Sequence, residues 1–258
     1  MSKNKKKINI TSQAIINYEE LWPGYESDML QTDPELAEIV ANFAFDEILE
    51  HDKLGTKKRV LMILASTLGT NSPTEFKHFV HAALNTDTQP AEIKEILYQA
   101  VPYLGISKII EYIYITNTIF EELEIPLPLE KRAETVSENC FEKGLALQKK
   151  IFGATIEKMY ENSPADLLHI QRFLSSNCFG DFVSRGGLDL KTREMATFTF
   201  LLAMGGTENQ MKGHILGNVE VGNDRAVLIS LITQLIPYVG YPRALNAISC
   251  LNEILPPK

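Results

Sequence analysis

Residues 58–105 align with residues 193–240 without a gap, each pair 135 positions apart. The alignment sets Pro102-Tyr103-Leu104-Gly105 on Pro237-Tyr238-Val239-Gly240 and Ser72-Pro73-Thr74-Glu75 on Thr207-Glu208-Asn209-Gln210. A chain that repeats itself at this period is built from two copies of one supersecondary unit, which neither copy needs to complete alone. The match continues upstream at an offset of 129 to 130, where Leu21-Trp22-Pro23-Gly24 resembles Ile151-Phe152-Gly153. The change of offset predicts a short insertion in the second copy near Arg185-Gly186-Gly187-Leu188, a turn-rich segment.

The periodicity is helical. Ile93, Ile96, Leu97, Ala100 and Val101 recur at i, i+3, i+4, i+7 and i+8. No period-2 strand pattern with hairpin dipeptides is evident, so the reading is an all-α tandem duplication. Its first repeat spans residues 12–125, its second 126–258, and a basic tail with Lys3–Lys7 occupies 1–11. In the second copy the run Ala226–Ile236 is apolar nearly all round, which predicts burial between the copies or in a subunit interface. Two capping boxes are expected, Ser72 with Glu75 and Thr207 with Gln210. A helix over about 190–204, a Gly205-Gly206 break and a second helix from Thr207 complete the second hairpin.

A net charge of -8 and pI near 5.3 speak against nucleic acid as the main partner. No run approaches the roughly 20 apolar residues of a membrane span. Cys140, Cys178 and Cys250 are odd in number and widely spaced, suggesting neither a disulfide framework nor a zinc site, and fitting a reducing cytoplasm.

The copies differ where chemistry would sit. Glu194 and His214 of the second correspond to Arg59 and Phe79 of the first. On an antiparallel helix pair closed by the Gly205-Gly206 turn, their heights differ by only ~5 Å, so an acid and an imidazole share one pocket. Side chains lean toward their own helix N-terminus, which predicts contact through a water or a substrate rather than a direct hydrogen bond. His78 and His81 flank Phe79 without an acid and read as surface residues.

Phe179-Gly180-Asp181-Phe182-Val183-Ser184-Arg185-Gly186-Gly187-Leu188-Asp189, Thr192-Arg193-Glu194, Gln210-Met211-Lys212-Gly213-His214, Tyr238-Val239-Gly240-Tyr241-Pro242 and Leu245-Asn246-Ala247 resemble the carboxymuconolactone decarboxylase family over residues 150–254, with a weaker match in the first copy. The resemblance implies an all-helical unit assembling into trimers or hexamers. It also implies one of two chemistries. The alkylhydroperoxidase D branch uses Glu, Cys-x-x-Cys and His; at the matching positions stand Glu194, Thr207, Gln210 and His214, so both sulfurs are missing. The decarboxylase branch removes carbon dioxide from a lactone without metal or cofactor, a reaction that needs an electron sink and an acid to reprotonate carbon. The expectation is a cofactor-independent, metal-free lyase acting on a small carboxylated or carbonyl metabolite. Its candidate catalytic residues are Glu194 and His214, and its candidate substrate-binding residues are Arg185, Gln210 and Tyr238. A peroxidase-like protein using Cys178 and a non-catalytic oligomeric binding protein are the alternatives.

Overall fold

The computed structural model describes residues 8–257; the basic run Lys3–Lys7 lies outside them. The described residues form helices and no strand. The first repeat comprises α1 (Ser12–Leu21), α2 (Met29–Thr32), α3 (Pro34–Phe45), a 3-10 turn (Glu47–His51), α4 (Thr56–Thr70), α5 (Pro73–Asn85), α6 (Pro90–Leu104) and α7 (Ile106–Glu122). The second comprises α8 (Cys140–Phe152), α9 (Thr155–Glu161), α10 (Leu168–Phe173), a π-helical stretch (Leu174–Val183), α11 (Leu190–Met204), α12 (Glu208–Glu220), α13 (Arg225–Val239) and α14 (Tyr241–Ile254). Helices α5 and α12, and α6 and α13, begin and end at residues 135 apart. The duplication is therefore structural as well as sequential. No described helix is long and apolar enough to cross a membrane.

The two repeats do not form separate beads. Helices α4 and α11 lie buried side by side in one hydrophobic core that both copies supply, from Val60, Leu64 and Leu68 to Ala196, Phe200 and Leu235. Their backbones come so close that a Cβ on Gly69 would stand 2.5 Å from the Ala203 Cβ. Only glycine fits there. Polar side chains cross the seam: Gln99 of the first repeat donates to the Arg193 carbonyl (2.8 Å) and the Thr197 hydroxyl (3.0 Å). Its counterpart Gln234 donates back to the Ile48 carbonyl (2.7 Å). These bonds supply partners to main-chain and side-chain groups that burial cuts off from water.

Three expectations need correction. Neither capping box forms. The Gly205-Gly206 turn, with both residues at positive φ, folds Thr207 back so that its hydroxyl donates to the Leu201 carbonyl at the end of α11 (2.8 Å), while the Ser72 hydroxyl pairs with that of Thr70 (3.0 Å). Each hydroxyl thus serves the end of the preceding helix rather than the start of its own. The α11 and α13 N-termini are instead capped by Asp189 and Asp224, whose carboxylates accept from Thr192 and Val227 main-chain N–H groups at 2.7 and 2.9 Å.

The extra length of the second copy lies upstream of its expected place. Phe152 packs against Phe179 as Trp22 packs against Phe45, at 5.9 Å and nearly perpendicular in both cases. Trp22 and Phe152 differ by 130 positions and Phe45 and Phe179 by 134, so most of the added residues fall between 152 and 179. There α9, α10 and the π-helical stretch absorb them, π-turns being the helical way to take up extra residues. Helix α13, finally, is not buried all round within the chain. Leu228, Leu231, Ile232 and Leu235 face the core, but Ile229 remains 41% exposed.

Candidate functional site

The site grows from the α11–α12 hairpin. Glu194 sits on the buried side of α11, whose residues from Thr192 to Ala203 are all buried, and His214 sits two turns into α12. Their side chains meet directly: His214 Nδ1 lies 2.8 Å from Glu194 Oε2, which overturns the expectation of contact through an intermediary. Two features close the gap. Gly217, one turn beyond His214, leaves the space the carboxylate fills, since a Cβ there would stand 2.7 Å from Glu194 Oε2. Asn218 then clamps the two helices, its Nδ2 donating to the Glu194 carbonyl (3.0 Å) and to the His214 carbonyl (2.8 Å). Asn223 holds Asn218 by donating to its Oδ1 (2.9 Å) and to the Lys191 carbonyl (2.9 Å).

The Glu194 side chain is 1% exposed and that of His214 12%. A carboxylate only accepts, so bonding at Nδ1 places a proton there; in the neutral imidazole Nε2 then keeps its lone pair, and it has no hydrogen-bond partner among the described residues. The imidazole lies edge-to-face with Phe152 at 5.2 Å and with Tyr103 at 6.0 Å. Burial raises the Tyr103 hydroxyl well above the ordinary phenol range, and that hydroxyl engages the side chains of Thr197 and Cys178.

Cys178 reaches this group from the π-helical stretch. That stretch packs backbone to backbone against α8 at Gly144 and Gly180, where added Cβ atoms would fall 1.9 Å from the Ser175 carbonyl oxygen and 2.2 Å from the Cys140 carbonyl oxygen. Burial pushes the Cys178 thiol up to about 12, so almost none of it is thiolate near neutrality. An inert buried thiol is a poor peroxide nucleophile.

The structure does not bring the three expected substrate contacts to His214. Gln210 is exposed on the first turn of α12. Arg185 is committed elsewhere, its Nε donating to both oxygens of Glu95 at 3.0 and 3.1 Å, its guanidinium stacked 5.0 Å over Tyr98. Tyr238 stands at 5.3 Å from Phe79, edge-to-face, at the corresponding place in the first repeat. The tyrosines are exchanged: each repeat sends its Pro-Tyr to the other repeat's site. Burial raises the Tyr238 hydroxyl above its ordinary value as it does that of Tyr103.

This exchange makes the first repeat an internal control. Trp22, Phe79 and Tyr238 reproduce the ring arrangement of Phe152, His214 and Tyr103, with Trp22 5.3 Å from Phe79. The polar groups are gone. Arg59 stands for Glu194 and pairs with Asp52 at 2.7 Å; Ala82 stands for Gly217, Ala83 for Asn218 and Thr88 for Asn223. Phe79 is 1% exposed and belongs to the core. His78 and His81 are half-buried, and the His78 carbonyl accepts from the Trp22 indole at 3.0 Å. Asn218 and Asn223 escaped the sequence reading, although the same 135-residue comparison that singled out Glu194 also pairs Asn218 with alanine, while Tyr103, which by its recurrence at the position of Tyr238 reads as packing, stands beside His214.

Among the described residues no group of three or more histidine, cysteine or acidic side chains is placed to hold a metal ion. The carboxymuconolactone decarboxylase family model matches residues 34–113 and 169–253, one match in each repeat. A 4-carboxymuconolactone decarboxylase from Acinetobacter baylyi (strain ATCC 33305 / BD413 / ADP1) is 27% identical over 118 residues, which cover 45% of this chain and 87% of that protein.

Proposed function

Because the chain belongs to the carboxymuconolactone decarboxylase family, we propose that it is a cofactor-independent, decarboxylase-like lyase for a small carboxylated carbonyl compound, with one working centre, in the second repeat. The observation that carries this reading is the 2.8 Å Glu194–His214 pair held by Asn218 and Asn223, a polar arrangement that the first repeat replaces by Arg59, Phe79, Ala83 and Thr88. A buried polar network costs stability unless every member is satisfied, so its presence in one copy alone favours a chemical role over a packing one.

In this reading His214 exchanges a proton at Nε2 while Glu194 fixes the ring and offsets the positive charge the imidazole gains. The bond from the substrate's carboxyl carbon to its neighbour breaks, carbon dioxide leaves, and the electron pair passes to a carbonyl already in the substrate. His214 Nε2, having first taken up a proton from solvent and become an imidazolium beside the Glu194 carboxylate, delivers that proton to the carbanionic carbon and reverts to the neutral ring. Phe152 and Tyr103 wall the imidazole and limit the water that would compete for that proton. The lactone substrate named for the Acinetobacter relative belongs to this chemical class and is the first compound to try.

The test is carbon dioxide release from 4-carboxymuconolactone and from simple β-oxo acids, comparing wild type with His214→Ala. Release that needs His214 supports the lyase. If no compound turns over, and screening a metabolite mixture finds no ligand that His214→Ala loses, the proposal fails and the non-catalytic alternative stands.

A further inference from the structure

Arg185 is the residue whose expected role the structure moved, and its new position lines a cavity of about 690 Å³ between α6, α7 and the segment after α7. That volume falls within the ~300–1,000 Å³ typical of small-molecule sites. Neither Glu194 nor His214 lines it. Its floor holds Lys94, buried, whose amine bonds the Asn117 side-chain oxygen and lies 5.6 Å over the Phe120 ring. Among the described residues no carboxylate comes within salt-bridge distance of that amine, although buried cations are ordinarily paired. Burial correspondingly lowers Lys94 to about 8.

Arg185 closes one side. Glu95 holds its Nε, while its two terminal nitrogens carry no hydrogen-bond partner among the described residues. Glu95 is itself fixed from behind by Arg193 (3.0 Å), which also donates to the Arg185 and Gly186 carbonyls at 2.6 and 3.0 Å. The open end of the guanidinium is thereby rigidly presented rather than free to wander. Ile113, Leu127 and Leu129 supply apolar wall. The second repeat has Ile229, Ser230 and Thr233 where Lys94, Glu95 and Tyr98 stand, so this charged lining belongs to the first repeat alone.

We propose that this cavity is a second ligand site, for a small carboxylate with an apolar body, whose carboxylate joins the Lys94 amine to the terminal nitrogens of Arg185 while its apolar part lies against Tyr98 and the Ile113–Leu129 wall. A carboxylate there completes an unpaired buried amine and an arginine fork already oriented for bidentate contact. The site stands independently of the lyase reading, because it shares no residue with the Glu194–His214 centre.

Benzoate is the probe. Calorimetric titration is expected to show saturable binding to wild type and to His214→Ala alike, weakened about tenfold or more in Lys94→Met, the loss expected for one charge-assisted hydrogen bond. Arg185→Gln is expected to weaken it similarly. Should that variant misfold through loss of the Glu95 contact, Lys94→Met and a labelling experiment on wild type carry the test. Trinitrobenzenesulfonate at pH 8 should modify Lys94, as read by peptide mass, and saturating benzoate should suppress that modification while sulfate at the same concentration does not. Equal affinity in Lys94→Met, absence of protection by benzoate, or protection by sulfate as strong as by benzoate overturns the proposal. Loss of benzoate binding in His214→Ala overturns the separateness of the two sites.

Discussion

Tyr238 of the second repeat lies edge-to-face against Phe79 of the first at 5.3 Å, in the place that Tyr103 of the first repeat takes beside His214 of the second. Each half of the chain therefore supplies a ring to the other half's site, and the two repeats are intertwined there. The second repeat carries polar groups at this place and the first carries core.

Phe79→Ala should accordingly behave as a core deletion. Removing a buried phenylalanine costs about 3–5 kcal/mol, read as a lower midpoint in urea unfolding, while turnover per folded molecule is kept. Loss of turnover at full stability would place chemistry in the first repeat instead.

His214→Phe imposes the first repeat's ring on the second. It should abolish turnover and also destabilise by about 1–3 kcal/mol, because Glu194, 1% exposed, loses its only side-chain hydrogen-bond partner among the described residues. Adding Glu194→Met should recover part of that loss without restoring activity, and a double-mutant cycle measures the coupling. Additive effects of the two changes would mean that the 2.8 Å contact carries no energy.

Cys178 gives a pH signature. Its folded-state value of about 12 stands above the ordinary thiol value of 9.0 because burial disfavours the thiolate. Between about pH 9 and 12 the unfolded chain has released this proton and the folded chain has not, so this contribution to stability is complete below 9 and is lost as pH rises toward 12. Cys178→Ala should flatten that alkaline decline relative to wild type. At pH 8 iodoacetamide should label the half-buried Cys140 well before Cys178, and peroxide reduction with a dithiol should be absent in both proteins. Peroxide turnover lost in Cys178→Ser would revive the thiol chemistry.

Lys94 titrates with the opposite sign. Its folded-state value of about 8 lies below the usual 10.5 through burial, so the unfolded chain holds the extra proton between those values and stability rises with pH across them. The advantage of Lys94→Met over wild type should be largest below pH 8 and shrink toward pH 10.5 in paired thermal melts.

Much of this was legible in the chain because helix repeats write themselves into the sequence at a fixed offset. The 190–204 helix, the Gly205-Gly206 break and the special pair Glu194 and His214 all followed from aligning the copies. Three things did not. Thr207 and Ser72 match the capping-box pattern, yet a hydroxyl beside a tight turn has two helix ends to choose from, and the pattern does not say which. Tyr238 lies within the second repeat in sequence, and sequence proximity does not reveal that it crosses to the first repeat's site. Arg185 is expected to contact substrate beside His214, but its partner Glu95 is 90 residues away and on the other repeat, which draws it to another cavity.

Assembly is the last expectation. Leu36, Ile39 and Val40 of α3 are 51%, 66% and 42% exposed, an apolar stripe at i, i+3 and i+4. The offset of 134 that pairs Phe45 with Phe179 carries these onto Ile170, Phe173 and Leu174, which are 53%, 63% and 36% exposed. Two copies that diverged at Glu194 and His214 thus keep the same outward apolar positions, and single exposed aliphatics would not require that. We propose that the stripes meet between chains, repeat one of one molecule against repeat two of the next, a head-to-tail contact that closes into a ring such as the expected trimer, or a hexamer of two such rings. Light scattering at micromolar concentration should give a trimer or hexamer. Ile39→Glu or Phe173→Glu should each reduce it to monomer, either end of the contact being enough to break the ring. A wild-type monomer would refute the assembly, and a trimer untouched by both charges would move the interface elsewhere, with the exposed Ile229 of α13 the next surface to charge.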